Sequence, residues 1–262
     1  MSKPRGALLG EGVPDALRVP GRAPRVLAFH GFTGTPQEVA LVVDAARELG
    51  LGAEAPLLPG HGQSRQELSR SRFSDWLAAA EQHYQRLAAD GPVIVAGLSM
   101  GAVLALRLAA NHPETTAGLI VLSNAVWLGS PWPTLPLKLI ERLRLPDFSL
   151  TKSGPDLGDR EQRALHLTHN SQPIHAAISL IRGGEATIGE LSRVHAPTLI
   201  LHGARDRVTP VANAWQVAMR LGTTRKRTVI FERSHHILTR DVEREAVRAE
   251  LLGFLREASS GA

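Results

Sequence analysis

Short runs of branched apolar residues alternate along this chain with longer stretches whose apolar positions recur every three or four residues. The first pattern suits strands buried on both faces, and the second suits helices packed along one side. Taken in order, they predict a strand near 25–30, a helix near 36–49, a short strand near 53–57 and a helix near 73–89. A strand over 93–96, a helix over 102–110 and a strand over 119–123 follow. The series closes with a helix near 173–192, a strand over 197–203, a helix opening near Pro210, a strand over 227–231 and a helix over about 241–257. This alternation implies a mostly parallel sheet with helices on both faces. The length of 262 residues suits a single α/β domain over 1–262, ending in a frayed tail at 259–262. About 70 residues separate Ser123 from Thr198, far more than one crossover helix needs. A small cap inserted at about 125–175 is the expected use of the surplus.

Chemistry enters at Gly97-Leu98-Ser99-Met100-Gly101, a Gly-x-Ser-x-Gly stretch between a strand pattern and a helix pattern. A serine on so sharp a turn holds its hydroxyl above the sheet, and the glycines permit close strand–helix contact. A nucleophilic serine needs a base, and the base needs a carboxylate to orient it. On this scaffold the chain order is Ser, then Asp or Glu, then His. Asp206 follows the strand at 197–203 and is the candidate acid, with Asp241 as the alternative and helix capping as the bland reading of Asp206. His235 and His236 follow the strand at 227–231 and compete for the base. Ser99, Asp206 and the His235-His236 pair lie just past strand ends, where open parallel sheets place their ligands.

Three further blocks, Phe29-His30-Gly31-Phe32-Thr33-Gly34-Thr35-Pro36, Leu58-Pro59-Gly60-His61-Gly62 and Phe73-Ser74-Asp75-Trp76, accompany these motifs. Together with Ser234-His235-His236 and the acid at Asp241, the chain resembles bacterial carboxylesterases and monoacylglycerol lipases of the α/β-hydrolase family. The resemblance implies the α/β-hydrolase fold and selects His236 as base, leaving His235 in a variable slot. It also implies an oxyanion hole from the backbone N–H groups of Phe32 and Met100. The expected activity is hydrolysis of short- to medium-chain acyl esters or monoacylglycerols through an acyl-enzyme. Thioester or carbon–carbon bond hydrolysis on the same triad is the alternative, and a non-catalytic ligand receptor is the rival from another class. Within the insertion, Trp127, Trp132, Leu135, Leu139 and Leu143 either roof an acyl-binding pocket or simply pack the cap onto the core.

The resemblance implies a small-molecule ester as partner, and composition argues against other classes. The net charge of +5 and pI near 10.3 come from scattered arginines, with no basic run interleaved with aromatics, so no nucleic-acid partner is expected. No stretch reaches the roughly 18 unbroken apolar residues of a membrane span. Absent cysteines and an N-terminus without an apolar leader point to the cytoplasm. No cofactor or metal is expected, because His166, His169 and His175 lack the helical spacing with a carboxylate that a metal helix shows. His30 and His61 are expected to brace loops, and Glu185 and Glu190 to sit on a solvated face.

Overall fold

The computed structural model describes residues 16–127 and 146–260. Seven strands form the central sheet: β1 (Ala16–Val19), β2 (Arg22–Phe29), β3 (Leu51–Pro56), β4 (Val93–Leu98), β5 (Thr116–Leu122), β8 (Thr198–Gly203) and β9 (Lys226–Phe231). Their order is β1-β3-β2-β4-β5-β8-β9, parallel except for the antiparallel edge strand β1. The sequence pattern did not predict β1. Its four half-exposed residues bury too little apolar surface to stand out from the Gly/Pro-rich stretch around them.

The strand residues split by their two-residue period into two cores. Leu27, Phe29, Val93, Val95, Leu119 and Val121 face one way, toward α3 (Phe73–Ala88), α4 (Met100–Asn111), α6 (Ile174–Ile188) and α7 (Ala212–Arg220). Val26, Ala28, Ile94, Ala96, Ile120 and Leu122 face the other way, toward α1 (Ala40–Glu48) and α8 (Arg244–Ser260). Burial on both faces explains why β4 and β5 read as unbroken apolar runs. The helix expected near 36–49 opens instead as a 3-10 turn, Pro36–Val39, before α1 begins. Pro36 sits at its first position, where the missing N–H costs nothing.

Three short elements follow from local chemistry rather than long-range periodicity. Helix α2 (Arg65–Arg70) is held by a capping box in which Ser64 and Glu67 exchange hydrogen bonds. In the inserted stretch, β6 (Ser149–Thr151) pairs antiparallel with β7 (Ser171–Pro173), and between them lies α5 (Arg160–Leu165), capped by Asp159. This hairpin and helix sit at the carboxyl ends of the parallel strands, tied there by contacts described below.

Candidate active site

Ser99 joins β4 to α4 with φ of 58° and ψ of −114°, a conformation a non-glycine residue adopts only when its surroundings over-determine it. Here they do: its N–H donates to Leu122 O, and its carbonyl accepts from Ala102, Val103 and Ala125 N–H. The flanking glycines are sterically obligatory. A Cβ at Gly97 would lie 2.0 Å from the Gly101 carbonyl oxygen, and one at Gly101 would lie 2.1 Å from that of Phe29. Among the described residues, the other non-glycine positions with positive φ are Thr33 and Ser123, past the ends of β2 and β5. Backbone strain thus gathers at one rim of the sheet.

Ser99 and His236 line one cleft enclosing about 720 Å³ of non-atom space, part of it open to solvent. His236 Nδ1–H donates to Asp206 Oδ2 at 2.8 Å. The Asp206 side chain is fully buried and accepts four further hydrogen bonds. Val208 and Thr209 N–H donate to Oδ1, while Thr209 Oγ1 and His202 Nε2 reach Oδ2 at 2.9 and 3.1 Å. Burial alone would raise the Asp206 carboxyl. The His236 charge and the His202 and His236 hydrogen bonds outweigh it and hold the group far below the usual carboxylate range. Burial likewise works to lower His236, but the Asp206 charge and hydrogen bond prevail and raise it above 6.5. Asp206 thus holds an imidazole and pins the turn at Val208 and Thr209, but it does not cap α7, whose N-cap is Val211 with no side-chain hydrogen bond.

His235 points to a different carboxylate. Asp241 Oδ2 accepts from its N–H at 2.6 Å and lies 3.1 Å from its Nδ1, while Asp241 Oδ1 accepts from Gly158 and Asp159 N–H. The second histidine–acid pair thus ties the insertion to the loop after β9. Asp156 does the same on the other side, accepting from His236 and Arg207 N–H.

Phe32 lines the cleft, and Met100 opens α4, where the first N–H groups have no intrahelical partner. The Phe32 loop is gripped from several directions. Glu38 Oε2 accepts from Gly31 N–H at 2.8 Å, and its Oε1 lies 3.1 Å from His166 Nε2. The Thr33 carbonyl accepts from His169 N–H and Thr168 Oγ1, and Lys152 Nζ donates to Thr33 Oγ1 at 2.6 Å. His30 Nε2 accepts from Leu58 N–H, and His61 packs edge-on against His30 and Trp76, so both histidines do brace loops. Burial depresses the pKa of each.

Of the five residues foreseen as an apolar roof, Trp132, Leu135, Leu139 and Leu143 lie outside the described residues. Trp127 is half-buried against the core beneath the Arg220 guanidinium, 5.1 Å from its ring centre, and is not among the residues lining the cleft. Among the described residues, the apolar lining includes Phe32, Leu98, Ala177, Leu180, Val208 and Ile237. Sequence reasoning missed His202, Glu38, Asp156 and Lys152. Only His202 left a trace, as a histidine inside the apolar run of β8.

A mostly parallel sheet of this order, with a strained serine turn after a central strand, defines an α/β-hydrolase. The family model described as serine aminopeptidase, S33, matches residues 22–243, and the chain belongs to that family. It is 31% identical over 230 residues to a thermostable monoacylglycerol lipase of Bacillus sp. (strain H-257), covering 87% of this chain and 89% of that one. A carboxylesterase of Bacillus subtilis (strain 168) is 23% identical over 248 residues, covering 93% and 97%. Among solved structures, one reported for the metagenome-derived lipolytic enzymes LipS and LipT superposes with a TM-score of 0.85 at 29% identity, covering 93% of this chain and 97% of that one. A Paleococcus ferrophilus monoacylglycerol lipase shares the fold with a TM-score of 0.81 at 19% identity, covering 93% and 98%. By these relationships the protein is a serine ester hydrolase. Among the described residues, no helix is long and apolar enough to cross a membrane.

Proposed function

We propose that Ser99, His236 and Asp206 are the catalytic triad, acting on short- to medium-chain acyl esters or monoacylglycerols. One observation carries the reading: a strained serine shares a cleft with an imidazole whose far nitrogen is 2.8 Å from a buried carboxylate. Ser99 Oγ attacks the ester carbonyl carbon while His236 Nε2 takes its proton. The carbonyl oxygen becomes an oxyanion, held by the backbone N–H groups of Phe32 and Met100, each such donor typically worth roughly 3–4 kcal/mol of barrier. The intermediate collapses as His236 returns the proton to the leaving alcohol, leaving Ser99 acylated. Water, deprotonated by His236, then attacks the acyl carbon, and His236 protonates Ser99 as the carboxylic acid departs. Throughout, Asp206 fixes the tautomer of His236 and stabilises its charged form.

The apolar walls from α6, Ala177 and Leu180, with Phe32, Leu98, Val208 and Ile237, suit an acyl chain. The inserted stretch, which brings Lys152, Asp156 and His166 to the cleft, acts as a cap. The cysteine-free composition fits a reducing compartment, and we place the enzyme in the cytoplasm.

The test is a panel of p-nitrophenyl esters from two to sixteen carbons, with matching p-nitroanilides, run beside Ser99→Ala and with a fluorophosphonate label. Ester turnover and labelling, both lost in Ser99→Ala, are the expected result. Faster turnover of the anilides would favour a peptidase, and an unlabelled, inactive wild type would end the reading.

A further inference from the structure

Lys152 lies between β6 and β7 and lines the same cleft as Ser99 and His236. Its ammonium donates to Thr33 Oγ1 at 2.6 Å and to Thr168 Oγ1 at 3.1 Å. An ammonium carries three hydrogens, so one donor remains beyond these two neutral hydroxyls. Among the described residues, Lys152 forms no ion pair with a carboxylate. Glu38 pulls on it electrostatically but is committed to Gly31 N–H and His166. The neighbouring His169 is held neutral, first by its own burial and then by the Lys152 charge, which lower it to about 4. Among the described residues, the cleft therefore holds a cation with hydrogen bonds but no counter-ion in contact.

Withdrawing a cation from water without a counter-charge is costly. Burial accordingly draws the Lys152 ammonium down to about 8, against the opposing pull of Glu38. An anionic oxygen entering the cleft relieves that cost, whereas an apolar group there leaves it in place. We propose that Lys152 is a specificity-determining residue whose remaining donor receives an anionic oxygen, carboxylate or phosphate, carried by the ester substrate. The inference rests on the ester-hydrolase reading of the Ser99 site and adds a substrate class to it.

Matched substrate pairs test it. Monomethyl adipate against methyl hexanoate places a carboxylate on the acyl side. 1-Butyrylglycerol 3-phosphate against 1-butyrylglycerol places a phosphate on the alcohol side. In at least one pair, kcat/KM for the anionic member is expected to exceed that of its partner about tenfold, the scale of one charge-assisted hydrogen bond. Lys152→Met should lower that ratio by the same factor, and Lys152→Arg should keep it. Both members of a pair meet the same Ser99, so any general damage to the Thr33 loop cancels in the ratio.

The wild type supplies a second readout. For the carboxylate pair, the ratio should fall as pH rises through about 8, where the ammonium loses its proton. Glu38 and His169 face the lysine but titrate far below that window, and Asp156, His166 and His236 act on both members alike. Preference for the neutral member in both pairs, or a ratio untouched by Lys152→Met, overturns the proposal. Failure of every ester together with an unlabelled Ser99 would instead sink the ester-hydrolase reading, and this inference with it.

Discussion

Ser99 shows most directly how function and stability oppose each other at a single residue. Its φ of 58° with ψ of −114° costs on the order of 1–3 kcal/mol for any side chain bearing a Cβ. Ser99→Gly should therefore be more stable than Ser99→Ala by about 1 kcal/mol, both being inactive. Thermal unfolding of the two variants checks this, and equal melting temperatures would remove strain from the account. Asp206 gives a second prediction. A base must be neutral to accept a proton, and His236 is raised above 6.5, so kcat/KM should fall as pH drops through that raised value. Asp206→Asn removes the raising charge, and the acid limb should move to lower pH while kcat falls roughly 10⁴-fold. A pH–rate profile in which the limb stays put would show that another group titrates there. Both residues were legible in the sequence because each follows a recognisable strand end. Position alone left His235 and His236 open and only the family resemblance favoured His236; in space His236 meets Asp206 and His235 meets Asp241.

At the scale of elements, the sheet was the easiest part to read. Strands β4, β5 and β8 are buried along nearly their whole length and so are written in branched apolar residues. The inserted stretch was hard to read because short pieces held by polar contacts carry no periodicity. Its docking onto the sheet runs through Glu38 on the 3-10 turn, which grips Gly31 N–H and His166 at once. Burial opposes ionisation of Glu38, but His166, His30 and the Gly31 N–H together bring it from an ordinary 4.5 down to about 2. A carboxyl lowered on folding contributes stability that is fully present above 4.5 and is lost as pH falls toward 2. The difference corresponds to roughly 3 kcal/mol. Glu38→Gln should therefore flatten the loss of stability between these pH values, measured as urea midpoints across the range. An unchanged acid profile would mean that Glu38 titrates normally.

Across the whole molecule, the described residues form one seven-stranded sheet with a core on each face, a small hairpin over its carboxyl ends and the candidate site at that rim. That location follows from topology, because parallel strands end together and their outgoing loops converge. Lys152, Asp156 and His166 reach the rim from a hairpin and helix far from Ser99 along the chain, and nothing in their local sequence announces it. The same convergence brings a half-buried lysine, a buried glutamate and the Asp206–His236 pair to one cleft, where their charges shift one another. The sequence by itself determined the chain order of the longer strands and helices, the serine turn and the chain positions of the candidate acid and base. These depend on periodicity, glycine sterics and motif spacing, all properties of neighbouring residues. Only the tertiary structure decided that His236 meets Asp206 while His235 meets Asp241, which of the described side chains wall the cleft, and that Lys152 stands there with no carboxylate in contact among the described residues. Those outcomes depend on distances between residues that the chain brings together only by folding.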